Sequence, residues 1–215
     1  MDPYKEIALK EQDAIRLFHL YENEHQYRQK NKIVVGIDEV GRGPLAGPVC
    51  VACVALPFGL YIPKLDDSKK LKPDIRKEVC SEIINNSYFY SYGFASVEEI
   101  DRYNILEATF LAMKRAIVKL PLKPDLVLLD GNKRPKWEYA TETIVKGDQL
   151  IPSISAASVI AKEKRDMIMD YIQQYDGRYN FSKHKGYGTK EHYEELEKYG
   201  ISYYHRKSFL KRIIK

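Results

Sequence analysis

Cysteine is scarce in this chain, with only Cys50, Cys53 and Cys80 among 215 residues. So small and odd a number excludes a disulfide framework. Cys50 and Cys53 are spaced C-x-x-C, but they lie in an apolar run from Val49 to Leu56 that reads as a strand. Positions three apart on a strand face opposite sides, and no second C-x-x-C exists, so two buried small hydrophobes are expected rather than a redox or zinc pair. Long apolar runs are missing too. Nothing approaches a bilayer span, and the opening MDPYKEIALKEQ lacks a signal-peptide core. A cytoplasmic chain with no membrane partner is the expectation. There is no internal repeat or low-complexity segment, and 44% hydrophobic content argues against wholesale disorder.

Acidic excess is also lacking, and the net charge of +5 is unevenly placed. Residues 1–175 hold 25 basic and 25 acidic side chains, whereas residues 176–215 hold ten basic and five acidic ones. A basic end suits a polyanionic partner, although a solvated helical surface has the same composition. The expected organisation is a helical N-terminal extension over 1–30 with QYRQKNK as its linker, a main domain over 31–175, and a basic helical C-terminal region over 176–215.

Hydrophobic pattern and punctuation predict strands over 32–38, 49–56, 88–95, 125–129 and 141–145. The first two are close enough in sequence to form an antiparallel pair. Helices are predicted over 73–85, with Pro73 in its first turn, and over 97–102, opened by a Ser96/Glu99 capping box. Others are predicted over 105–119, capped by Asn104, over 153–175, and over 189–199. The small residues Ser153, Ser155, Ala156, Ala157 and Ser158 permit close approach of the fourth of these to a sheet or ligand. Three strands followed by alternating helices and strands make an α/β or mixed-sheet domain.

The chemistry gathers around VVGIDEVGRGPLAGPV, residues 34–49. A β-branched run ends in Asp38 and Glu39, two neighbouring anions that burial would force to be paired or neutralised. Alone, the pair also fits a strand stopping at a solvated acidic turn. Two further predicted strands end at Asp130 and Asp148, although each of these also fits an ordinary turn aspartate. If the three strands lie side by side, four carboxylates converge. With no histidine or cysteine at ligand spacing, such a site favours Mg2+ or Mn2+ over zinc. The turn Gly41-Arg42-Gly43 beside the pair lets a backbone come close to a ligand.

These segments resemble bacterial ribonuclease HII. The matching stretches are GIDEVGRGPLAGPV, DDSKKL, NILEATFLAMKRA, LLDGN, VKGD, ISAASVIAKEKRD, HKGYGTKEH and HRKSF, in family order from about residue 33 to 209. The related ribonuclease HIII family is a poorer match, since it tends to have GKG where GRG stands here.

The resemblance implies a ribonuclease H-like mixed five-stranded sheet flanked by helices, with a small helical C-terminal part completing the substrate site. It implies an endoribonuclease that cuts the RNA strand of RNA–DNA hybrids and nicks 5′ of single ribonucleotides in duplex DNA. Cleavage would be metal-assisted, leave 3′-hydroxyl and 5′-phosphate ends, and be carried out by a monomer. Asp38, Glu39 and Asp130 would be metal ligands and Asp148 the fourth catalytic carboxylate. Asp166 matches no catalytic position. Gly41, Arg42 and Gly43 would read the ribose 2′-hydroxyl, and Tyr187 would pack on the neighbouring sugar. Lys69, Lys70, Lys185, Arg206 and Lys207 would contact phosphate. Ser155 to Ser158 would place hydroxyls or helix amides near a phosphate, or simply allow tight packing.

Overall fold

The computed structural model describes residues 3–29 and 33–210, with side chains from residue 11 onward. Five strands form one mixed sheet: β1 (Val34–Val40), β2 (Val49–Ala55), β3 (Phe89–Ala95), β4 (Leu126–Asp130) and β5 (Thr141–Ile144). Their spatial order is β3-β2-β1-β4-β5. β1 runs antiparallel to β2, with Asp38 opposite Ala52, and parallel to β4, with Val34 opposite Leu126. β5 continues the parallel half, and β3 the antiparallel half. The central strands β1, β2 and β4 are buried on both faces, which is why DLVLL carries no polar alternation.

The helices are α1 (Pro3–Arg28), α2 (Pro73–Asn86), α3 (Val97–Ile117), α4 (Gly147–Leu150), α5 (Pro152–Tyr175), α6 (Phe181–His184), α7 (Lys190–Tyr199) and α8 (Lys207–Leu210). The two helices expected over 97–119 join end to end as α3. Asn104 sits at the junction with φ +69°, and its side chain accepts from the Leu106 and Glu107 N–H groups. The Ser96/Glu99 capping box opens α3, and Thr189 caps α7.

Residues 26–28 of the expected linker belong to α1 instead, and 30–32 lie outside the described residues. α1 packs on the body through buried Leu17 and Leu20. The buried Glu24 carboxylate accepts from the Ser153 N–H at 2.9 Å, meeting one of the free donors at the start of α5.

α5 lies tight against β1. A Cβ at Gly36 would overlap the Ser153–Ile154 peptide, so glycine on the strand and small residues on the helix meet without a spacer. This explains Ser153 to Ser158 as packing: Ser155 Oγ donates to the Asp148 carbonyl at 2.6 Å, and Ser158 Oγ meets Ser68 Oγ at 2.9 Å. β2 divides its side chains as a strand should. Cys50 packs with the α2/α5 layer and Cys53 with the α3 layer, each fully buried and its thiol pushed up to about 12 by burial. Among the described residues no helix is long and apolar enough to cross a membrane.

Candidate active site

β1, β4 and β5 are neighbours, so their C-terminal ends meet at one edge of the sheet, where open α/β sheets gather ligands. Asp38 and Glu39 stand at the end of β1 and point to opposite faces. Asp38, 4% exposed, faces α5, and its carboxylate accepts from the Glu39 N–H at 2.7 Å. Glu39 turns toward α3, where Arg42 Nη1 lies 3.2 Å from its carboxylate. Glu39, Asp130, Asn132 and Lys133 rim a cleft of about 260 Å³ floored by Leu106, Phe110 and Met113. Asp130 ends β4 and accepts from the Gly147 N–H at 2.7 Å. Asp148 does not end a strand as expected. β5 stops at Ile144, Lys146 turns left-handed at φ +59°, and Asp148 lies on the single turn of α4, its backbone held by Ser155.

These acids act on one another through their charges, with Asp130 common to the other three. Burial, then Glu39 and Asp130, raise the Asp38 carboxyl well above its ordinary range. Burial raises Glu39 despite Arg42, and burial with Asp67 and Asp130 raises Asp148 despite Lys69. Burial works against the charge of Lys69, yet Asp67, Asp148, Asp38 and Asp130 outweigh it and raise its pKa. Lys69 reaches Asp148 at 3.7 Å while remaining largely exposed. Among the described residues no three acidic, histidine or cysteine side chains are already drawn into a closed cage. The donors are nevertheless all oxygen, and their mutual repulsion is what a hard divalent cation would relieve. The group fits Mg2+ or Mn2+.

The Gly41–Pro48 loop is held from beneath by two buried guanidinium groups. Arg206 donates to the carbonyls of Gly41, Arg42 and Gly47 at 2.6, 3.0 and 2.8 Å. Arg165 donates to Pro48, Ala46 and Lys185 at 3.0, 3.0 and 2.9 Å. Burial, with Arg165 nearby, brings the Arg206 pKa down to about 9. Arg206 is therefore corrected from phosphate contact to support of the turn: fully buried, its donors are spent on carbonyls. Gly41 (φ +97°) is backed by Arg165 so closely that a Cβ would overlap the side chain. Gly43 differs, since a Cβ there would meet nothing nearer than the Tyr187 ring at 4.0 Å.

Tyr187 stands half-exposed beside Gly43, with the Arg165 guanidinium carbon 5.7 Å from its ring centre. Lys70 is exposed and pairs with Asp66 at 3.2 Å, and Lys207 is exposed at the start of α8, where its N–H donates to Asp101. Lys185 is largely buried and paired with Asp170, so its charge is already matched within the fold. Asp166 pairs with Lys162 at 2.6 Å and Arg76 at 3.3 Å, a structural role away from the acids.

The sequence by itself assigned no role to Asp67 or Arg165. Asp67, 5% exposed, accepts from the Lys69 N–H at 3.0 Å and raises Asp148, so it shapes both. The signal for Arg165 was present: it occupies the buried stripe Ile154, Ser158, Ala161, Arg165, Met169, Ile172 at helical spacing. An arginine there must find carbonyls or carboxylates.

Residues 35–212 match the family model described as Ribonuclease HII. A relative from Nitrosospira multiformis named Ribonuclease HII is 51% identical over 176 residues, covering 82% of this chain and 88% of that one. Another from Clostridioides difficile, of the same name, is 45% identical over 205 residues, covering 95% and 80%. The crystal structure of the ribonuclease H2 from Pyrococcus horikoshii superimposes with a TM-score of 0.68 at 25% identity, covering 82% and 93%.

Proposed function

The chain belongs to the ribonuclease HII family, and we propose that its four carboxylates cut a ribonucleotide strand selected by the adjoining glycine turn. It is a metal-dependent ribonuclease H that acts on RNA–DNA hybrids. The observation that carries the finer reading is the meeting of Asp38, Glu39, Asp130 and Asp148 at one sheet edge, beside a turn whose Gly43 leaves room for a sugar.

Asp38, Glu39 and Asp130 hold the metal, either Mn2+ or Mg2+, and Asp148 completes the set opposite Lys69. When bound, such ions supply activation of water and stabilisation of charge on the leaving oxygen. The chain itself supplies position. Backbone groups of Gly41 to Gly43 read the 2′-hydroxyl, the atom that separates RNA from DNA. Tyr187 packs on the sugar beyond the cut, favouring RNA-to-DNA junctions. Lys69, Lys70 and Lys207 hold phosphates without regard to sequence. Arg165 and Arg206 keep the turn rigid, so little ordering cost falls on binding. Turn, acids and tyrosine all come from one chain, which supports action as a monomer.

The test is a duplex carrying one ribonucleotide, incubated with Mn2+ or Mg2+, with product ends mapped. A nick 5′ of the ribonucleotide leaving 3′-hydroxyl and 5′-phosphate ends is expected. No nick, or equal cutting of an all-DNA duplex, would overturn the reading.

A further inference from the structure

Three histidines lie together under the Tyr187 loop, and their hydrogen bonds admit a single assignment of ring protons. His192 Nδ1 lies 2.9 Å from the Tyr187 carbonyl, which only accepts, so Nδ1 carries the proton. His192 Nε2 lies 2.9 Å from His205 Nε2. His205 Nδ1 accepts from the Ser202 N–H at 3.0 Å and stands 2.8 Å from Ser202 Oγ, so the His205 proton is on Nε2 and points at His192. The result is a directed chain from Ser202 through His205 and His192 to Tyr187. His184 stacks on His192, with ring centres 4.1 Å apart; its Nδ1 accepts from the Gly186 N–H and its Nε2 meets Glu195 at 3.0 Å. The Thr189 N–H is the other donor to the Tyr187 carbonyl.

This chain joins the two substrate-reading elements. The His205 backbone bridges Ala46 in the Gly41–Pro48 loop, and the Leu45 N–H donates to the Gly186 carbonyl at 2.7 Å. His192 fixes the far side of Tyr187. The rings are packed among Tyr179 and Phe181, away from solvent. We propose that the Ser202–His205–His192 relay is the positioning device that sets Tyr187 against Gly43, and so a determinant of selectivity for an isolated ribonucleotide. The inference rests on Tyr187 being the sugar-packing residue.

The experiment compares kcat/KM on a single-ribonucleotide duplex with kcat/KM on a continuous RNA–DNA hybrid. His192→Leu removes the donor to Tyr187 and should lower the ratio about three- to tenfold, as expected for one lost positioning hydrogen bond. His192→Asn keeps a donor near the Nδ1 position and should hold the ratio within about twofold. In a Tyr187→Ala background, His192→Leu should change the ratio no further, because both act through one ring. A purely structural histidine would instead lower both activities alike in either background. Long-range proton–nitrogen spectra of the wild-type protein give a readout independent of variant folding: Nδ1–H on His192 and Nε2–H on His205 are expected.

A bare Nδ1 on His192 overturns the relay. So does an unchanged ratio in His192→Leu when Tyr187→Ala lowers it, and this leaves the reading of Tyr187 standing. An unchanged ratio in Tyr187→Ala itself overturns that reading, and the relay's role in selectivity with it.

Discussion

Arg206 Nη2 donates to the carbonyl of Gly41, 165 positions earlier in the chain, at 2.6 Å. The contact brings a buried cation from the C-terminal region under the turn beside the acids. It makes the turn's shape a property of the whole chain rather than of its own glycines. Arg206→Lys offers fewer donors in a different geometry and leaves carbonyls of Gly41, Arg42 and Gly47 short of partners. It should cost about 2–3 kcal/mol, seen as a lower urea midpoint with an unchanged m-value.

Gly43 and Gly36 should respond oppositely to the same change. At Gly43 the added methyl meets open space in the free protein, so Gly43→Ala should keep stability within about 0.5 kcal/mol. It should nonetheless weaken discrimination between ribonucleotide and deoxyribonucleotide strands. Gly36→Ala drives a methyl into the α5 backbone and should cost at least about 3 kcal/mol. Thermal melts alongside cleavage of matched duplexes check both.

Asp38→Asn should separate stability from activity. The buried carboxyl is pressed by Glu39 and Asp130, and a neutral amide removes that repulsion. The melting temperature should not fall, whereas turnover should fall at least about a hundredfold, the upper range for losing even an indirect metal contact. A variant that melts well below the wild type would contradict this account of the site's charge.

The lysines divide by exposure: Lys69 stays largely exposed beside its acids, whereas Lys185 is largely buried against Asp170. Lys69→Ala should weaken binding to all duplexes and reduce the slope of log affinity against log salt by about 1. Lys185→Ala, whose ammonium is paired with Asp170, should leave that slope unchanged. Titrations of a labelled duplex at several salt concentrations distinguish them.

Acid should act on the histidine cluster with a definite sign. Burial, with His192 beside it, lowers the His205 pKa from 6.5 to about 4. Between those values the unfolded chain binds more protons than the folded one, so this contribution lowers stability as pH falls. Asp38, Glu39 and Asp148, raised by burial, act in the opposite direction as they take up protons in the folded state. Comparison with His205→Gln isolates the histidine: the stability advantage of the wild type should shrink as pH drops from 6.5 toward 4. A gap independent of pH would refute it. Urea melts across that range provide the measurement.

Local rules made much of this protein legible in its sequence. β-Branched and apolar runs mark strands wherever a sheet is buried on both faces, and the Ser96/Glu99 box, Asn104, Thr189 and Pro73 mark helix starts because capping is a contact between near neighbours. Asp38, Glu39 and Asp130 stand out because carboxylates at the ends of apolar strands need a reason to be there. What the sequence could not decide depends on contacts between distant segments. Arg206 and Lys185 look like free cations in a basic stretch, and only packing shows one spent on the carbonyls of Gly41, Arg42 and Gly47 and the other on Asp170. Asp148 reads as a strand end because the residue that turns left-handed to start α4 is Lys146, a lysine rather than a glycine. The histidine relay is visible only once α7 and the 202–206 segment are folded against each other, since ring protons are set by partners that the chain order keeps apart. Sequence determined which groups are present and how each element begins; tertiary structure decided which charges remain free to meet a substrate.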